Sequence, residues 1–218
     1  HWMANAKAWV TTAVFTEWFN NCFVPEVETY LRQKNLDFKA LLIIDNAPGH
    51  PYLEHPNVKI VFLPPDTTCL IQPLDQGIIS TFKKLYIKNT YQHILGKLEN
   101  DSLTVPEVWK KFSILDCINN VSCAVSQITP QILNFCWKAI WPECVVDDEI
   151  KASTLSVEII ALANQLGGEG FDTFSQNDID ELLEDTPLND DDIIDLIVHD
   201  SEETEDDIEV EETPAPLT

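Results

Sequence analysis

An α/β fold is predicted by three features of the sequence. Two short apolar runs, residues 40–44 and 58–63, are each too short for an independent helix. Pro-Gly and Pro-Pro pairs stop them, at Pro48-Gly49 and Pro64-Pro65. The segments around them carry apolar residues at three- and four-residue steps, the period of a helix face. Strands alternating with helices build a sheet-and-helix layer. A hydrophobic content of 44% over 218 residues is enough to fill its core.

The first helix is expected over residues 9–32, with Trp9, Ala13, Val14, Trp18, Phe19 and Cys22 on one face and a break at Pro25. A buried strand follows at 40–44 and a second at 58–63. The loop through Thr67, Thr68 and Gln72 is read as turn-shaping, and a long helix is expected to begin near Leu74. Its inward stripe is Ile78, Ile79, Phe82, Leu85 and Tyr86. Further helices are expected over 106–119 and 129–141, each with Pro in its first turn, and an amphipathic one at SVEIIALANQL. Gly167, Gly168 and Gly170 form a flexible joint before two acidic segments, NDIDELLED and NDDDIIDLI.

Charge is divided sharply along the chain. Residues 1–145 carry 12 Lys and Arg against 13 Asp and Glu, whereas residues 146–218 carry 1 against 24. The formal net charge of -24 therefore belongs to the C-terminal third and does not by itself exclude phosphate binding upstream. Composition predicts disorder over 199–218. The six cysteines show no CxxC pair and no disulfide framework, which reads as reduced thiols in an intracellular protein. No apolar run reaches the roughly 20 residues of a membrane-spanning helix.

Asp45 stands just beyond the first strand, in LLIIDNAPGH, and Asp75 at the start of a helix. Carboxylates at the ends of neighbouring elements can converge on one point, where Mg²⁺ or Mn²⁺ takes carboxylate oxygens together with substrate phosphates. Two such ions about 3.5 to 4 Å apart can serve phosphodiester cleavage. The plainer reading is a strand-end Asp and a helix-start Asp, each favoured by local geometry and the helix dipole.

The blocks LLIIDNAPGH and FLPPDTTCLIQPLDQGIISTFK resemble the DDE superfamily endonuclease domain of Tigger/pogo transposable element-derived proteins, relatives of jerky and centromere protein B. AKAWVTTAVFTEWFNNCFVPEVETYL, FSILDCINN and the stretch from VEIIALANQL onward also resemble that group. The resemblance implies a partial RNase H-like fold, and the change of composition past Val146 divides the chain into that domain over 1–145, an acidic helical segment over 146–198 and a tail over 199–218. It implies a three-carboxylate Mg²⁺ or Mn²⁺ site in which Asp45 is the second acid and Asp75 the third. The first acid is expected on a strand before His1, since Glu17 lies in a helix pattern; beginning at His1-Trp2, the chain is read as an internal fragment or an incomplete gene model, and no strand cleavage is expected of it.

By the same resemblance Asn46 and His50 position the site or contact nucleic acid. The alternative for His50 is a turn histidine satisfied by nearby backbone, and His55 is read as structural or exposed. Lys83, Lys84 and Lys88 are candidate DNA-backbone contacts, or else a solvated helix face. The implied function is DNA binding by the full-length protein in the nucleus. The alternative is a domesticated, non-enzymatic scaffold whose acidic tail recruits protein partners through the pairs Leu182-Leu183 and Ile193-Ile194, or whose tail is only a solvated spacer.

Overall fold

The computed structural model describes residues 10–101, 103–146, 154–168 and 170–184. They form two compact units that divide after Asp66. In the first unit, α1 (Thr12–Trp18) runs through a wide π turn at Phe19–Phe23 into α2 (Val24–Gln33). Pro25 does not break the helix as expected. A proline lacks the N–H of a normal turn and its ring crowds the carbonyl four residues back. The π turn, closed by the Val24 N–H donating to the Phe19 carbonyl, widens the helix just before the proline. Pro25 then sits in the first turn of α2.

Strands β1 (Ala40–Ile44) and β2 (Val58–Phe62) pair in parallel, with Ala40 opposite Val58 and Ile44 opposite Phe62. Beneath them lie Phe15 and Phe19, both buried, with Phe23 and Val24 beside them. The helix face is therefore rotated from the one read in the sequence, since Phe15 is inside and Trp18 is 38% exposed. Ala40, Leu42 and Ile44 point to this core with Val58, Ile60 and Phe62. The expectation that all of residues 41–44 are buried is corrected: Leu41 is 52% exposed, because among the described residues helices cover only one face of the pair.

The second unit is helical. After α3 (Thr68–Ile71) and a kinked turn at Leu74–Ile78 comes α4 (Ile79–Asp101), the axis around which α5 (Val105–Lys111), α6 (Ile114–Ser126), α8 (Leu155–Leu166) and α9 (Gln176–Leu183) pack. The expected helix over 106–119 is two helices. Ser113 starts the second with a capping box, its side chain taking the Asp116 N–H while Asp116 takes the Ser113 N–H. Helix α7 (Pro130–Cys136) keeps its proline in the first turn.

Tyr91, Ile94, Val108, Ile159, Ala163, Leu166 and Ile179 make one core. Helices α8 and α9, assigned by composition to a separate acidic segment, thus close the same core as α4. The expected inward stripe of α4 is only partly inside: Ile78 and Leu85 are buried, while Ile79, Phe82 and Tyr86 are half-buried. Other faces of the helix bury polar groups, where Asn120 donates to Thr90 Oγ1 at 3.2 Å and Gln127 to Asn89 Oδ1 at 3.2 Å. Gly167, Gly168 and Gly170 all take positive φ, and the turn they form carries Phe171 and Phe174 onto Tyr91. The segment NDDDIIDLI, with Ile193-Ile194, and the stretch 199–218 lie outside the described residues.

Truncating Ile94, which is fully buried, to alanine is expected to cost about 3 kcal/mol of unfolding free energy. Leu41→Ser on the exposed strand face is expected to stay within about 0.5 kcal/mol of wild type. Urea denaturation of the two variants checks the contrast.

Candidate active site

Asp45 follows the last residue of β1. The Leu63 N–H donates to the Ile44 carbonyl at 2.8 Å, so the strands stay together up to this carboxylate. The chain then turns: the His50 N–H donates to the Ala47 carbonyl at 3.0 Å. Gly49 passes so close to the backbone of Val10 that a Cβ there would lie 2.0 Å from the Val10 carbonyl oxygen, which only glycine avoids without a backbone shift. This turn brings the imidazole back over the strand end.

His50 Nδ1 lies 2.7 Å from Asp45 Oδ1. Both atoms are shut off from solvent and neither has a hydrogen-bond partner, so this is a close polar contact and not a hydrogen bond. The ring packs on Phe15 with 4.8 Å between centroids. Asn46 is exposed. His55 has a structural setting: its Nδ1 accepts the Asn57 N–H at 3.2 Å and its ring lies against Phe38 and Phe19. Phe15 and Gly49 were not singled out in the sequence. The signals available were the four-residue step from Phe15 to Phe19 and the glycine next to His50.

Asp75 belongs to the second unit, on the kinked turn, where it is exposed and its N–H donates to the Gln72 carbonyl at 3.0 Å. Gly77 makes the kink at φ +123°, a conformation that suits glycine. The turn is tied down on two sides, by Gln76 Nε2 donating to the Cys69 carbonyl at 2.9 Å and by Cys136 Sγ donating to the Gln76 carbonyl at 3.3 Å. Burial raises the Cys136 thiol pKa, which keeps it a neutral donor. All six cysteines are free thiols.

The three lysines of α4 are half-buried and do not form a solvated face. Lys83 Nζ donates to the Leu183 carbonyl at 3.0 Å, a cation placed at the C-terminal end of α9. Lys88 pairs with Glu158 of α8. In α9, Leu183 packs against the core while Leu182 is 52% exposed. Among the described residues no three His, Cys, Asp or Glu side chains gather as a metal-binding group. No helix among them is long and apolar enough to cross a membrane.

The strand-end and helix-start carboxylates, with the DNAPGH and QPLDQG motifs around them, lie within a match to the family described as DDE superfamily endonuclease, which covers residues 1–137. The chain belongs to that family. Among DDE relatives it is 30% identical over 144 residues to the Jerky protein homolog of Homo sapiens, covering 64% of this chain and 24% of that protein. It is 32% identical over 144 residues to the Jerky protein of Mus musculus, with the same 64% and 24% coverage. Tigger transposable element-derived protein 7 of Homo sapiens is 41% identical over 87 residues, 36% of this chain and 16% of that protein. The chain thus spans about a quarter of the length of the jerky relatives, at 24%. No solved structure matches it. The DDE match includes Asp45, Asp75 and all three α4 lysines, and it ends before α8 and α9.

The bonds from Lys88 and Thr154 to Glu158 lower its carboxyl pKa below the ordinary glutamate value. A depressed folded-state pKa means stability that is present above the unfolded value and lost as pH falls through the folded one. Glu158→Gln is therefore expected to melt lower than wild type near pH 7 and to lose less on acidification, so that the two melting curves converge as pH falls below the ordinary glutamate range. Thermal unfolding across that range checks the sign.

Proposed function

We propose that this chain is a transposase-derived, RNase H-like DDE endonuclease domain that contributes Asp45 and Asp75 to a divalent-metal site and, in its full-length form, serves DNA binding in the nucleus. The observation that carries the proposal is the placement of Asp45. It ends a parallel strand, holds one oxygen against His50, and keeps 28% of its side chain exposed. Oδ1 is sealed from solvent, so that exposure lies on the rest of the side chain.

Among the described residues no three side chains gather as a metal-binding group, and Asp45 and Asp75 belong to different units, so a shared cation is what the family resemblance implies. Asp45 and Asp75 would hold Mg²⁺ or Mn²⁺, with substrate phosphate oxygens and water completing its shell. Such an ion, when bound, polarises a phosphoryl oxygen and activates the attacking oxygen. Asp45 keeps part of its side chain exposed at the strand end, and Asp75 stands on the turn kinked at Gly77 just ahead of α4. The family resemblance implies three acids, and these residues supply two, so strand cleavage by this chain alone is not expected.

One observation favours a second reading, a domesticated nuclear scaffold without catalysis. Lys83 and Lys88 spend their charge inside the second unit, which leaves less of it for phosphate. Recruitment of protein partners by the acidic tail belongs to that reading.

The two readings part on metal. Saturating Mn²⁺, at about 100 times its dissociation constant, is expected to stabilise the wild-type chain by about 2.7 kcal/mol, seen as a higher Tm. Asp45→Asn and Asp75→Asn are each expected to remove most of that rise. A Tm that ignores Mn²⁺ and Mg²⁺ in all three proteins would discard the metal site and leave the scaffold.

A further inference from the structure

We propose that the outward face of α6 is where two copies of this chain meet, each α6 lying antiparallel against the other. A surface helix ordinarily turns its apolar stripe to the core and its polar residues to water. In α6 the stripe is turned out. Ile114, Ile118, Val121 and Val125 are each between 38% and 63% exposed, while Asn120 is buried and donates to Thr90 Oγ1 of α4. Tyr86 of α4 donates to Cys117 Sγ, and Gln127, just past the helix, donates to Asn89 Oδ1. Polar side chains thus tie α6 to α4, and its aliphatic stripe is left as a surface patch of the kind that marks a protein contact.

The spacing of the stripe points to a second copy. Steps of four, three and four residues make a short heptad seam, and that order reads the same from either end. An antiparallel copy related by a two-fold axis therefore sets Ile114 opposite the partner's Val125 and Ile118 opposite the partner's Val121. This is the self-complementarity that a two-fold interface needs. Charge agrees with it. Asp116 is the one charged residue among the 13 of α6, and its carboxylate is taken up by the Ser113 cap. The net charge of -24 pushes copies apart wherever acids face each other. The stripe is a place where they do not. Nucleic acid or a charged peptide finds no opposite charge there, whereas an aliphatic copy of the same face requires none. A helix of this length is about 20 Å long. The seam is small beside the roughly 800 Å² per partner of a standard interface, so a weak, concentration-dependent dimer is expected.

Sedimentation velocity of the full chain between about 1 and 300 µM tests this, a range that spans weak association. The wild-type mass is expected to rise with concentration from 24.7 kDa towards twice that value. Ile118→Glu puts a charge in the middle of the seam and is expected to weaken self-association by about 10-fold or more. Ile114→Glu is expected to weaken it less. An acid suits the first turn of a helix, so this variant carries the test should Ile118→Glu fail to fold. Adding Val125→Lys to Ile114→Glu sets opposite charges across the two-fold axis and is expected to restore the wild-type affinity. A wild-type mass that stays at 24.7 kDa throughout overturns the proposal and leaves the stripe to another part of the chain or to a different protein. A dimer indifferent to both single substitutions overturns it as well, by placing the contact elsewhere. A dimer that they break and the Glu-Lys pair does not mend overturns the antiparallel register.

Discussion

The first unit depends on an aromatic ridge beneath two strands. Phe15 and Phe19 bury almost all of their surface against Val58, Ile60 and the inward residues of β1. Each contributes about 1.5 to 3 kcal/mol by leaving water. A two-stranded parallel pair has few backbone bonds of its own, so this burial is what keeps β1 and β2 in register. The same ridge reaches the chemistry, because Phe15 is also the surface on which the His50 ring rests. Core packing and the surroundings of Asp45 therefore share one residue. The π turn at Phe19–Phe23 lets the ridge continue past Phe19 to Phe23, with 5.8 Å between their rings, while Pro25 is accommodated.

The second unit uses charge in a different way. Its acidic residues do more than solvate. Asp116 and Asp178 bond the first turns of α6 and α9, and those bonds lower their carboxyl pKa values. Glu158 holds Lys88, and the α9 end holds Lys83, so two lysines that compose a basic helix face in the sequence act as ties between helices. Long cationic side chains suit this role because their methylene stems cover apolar surface on the way to the partner.

Local signals in the sequence accounted for a good part of what is observed. Strands near 40–44 and 58–63, a long helix starting within a few residues of Leu74, prolines in the first turns of α5 and α7 and the amphipathic SVEIIALANQL follow from period, length and turn residues, though not where the helix over 106–119 divides or that α7 ends at Cys136. The motifs around Asp45 and Asp75 carried family membership, because spacing and turn chemistry are written in consecutive residues. What local patterns could not specify were partners distant along the chain. The exposure of Leu41 depends on which sheet face receives α1, and the buried Asn89, Thr90 and Asn120 depend on α6 lying against α4. The pairing of Lys88 with Glu158 joins residues 70 positions apart. His50 meets Asp45 only because Gly49 allows a close backbone approach and Phe15 supplies a wall, two conditions met in space and not in periodicity. The sequence by itself determined the elements and their chemistry; only the tertiary structure decided which side chains are spent on packing and which remain to face a ligand, because desolvation and contact are properties of assembled surfaces.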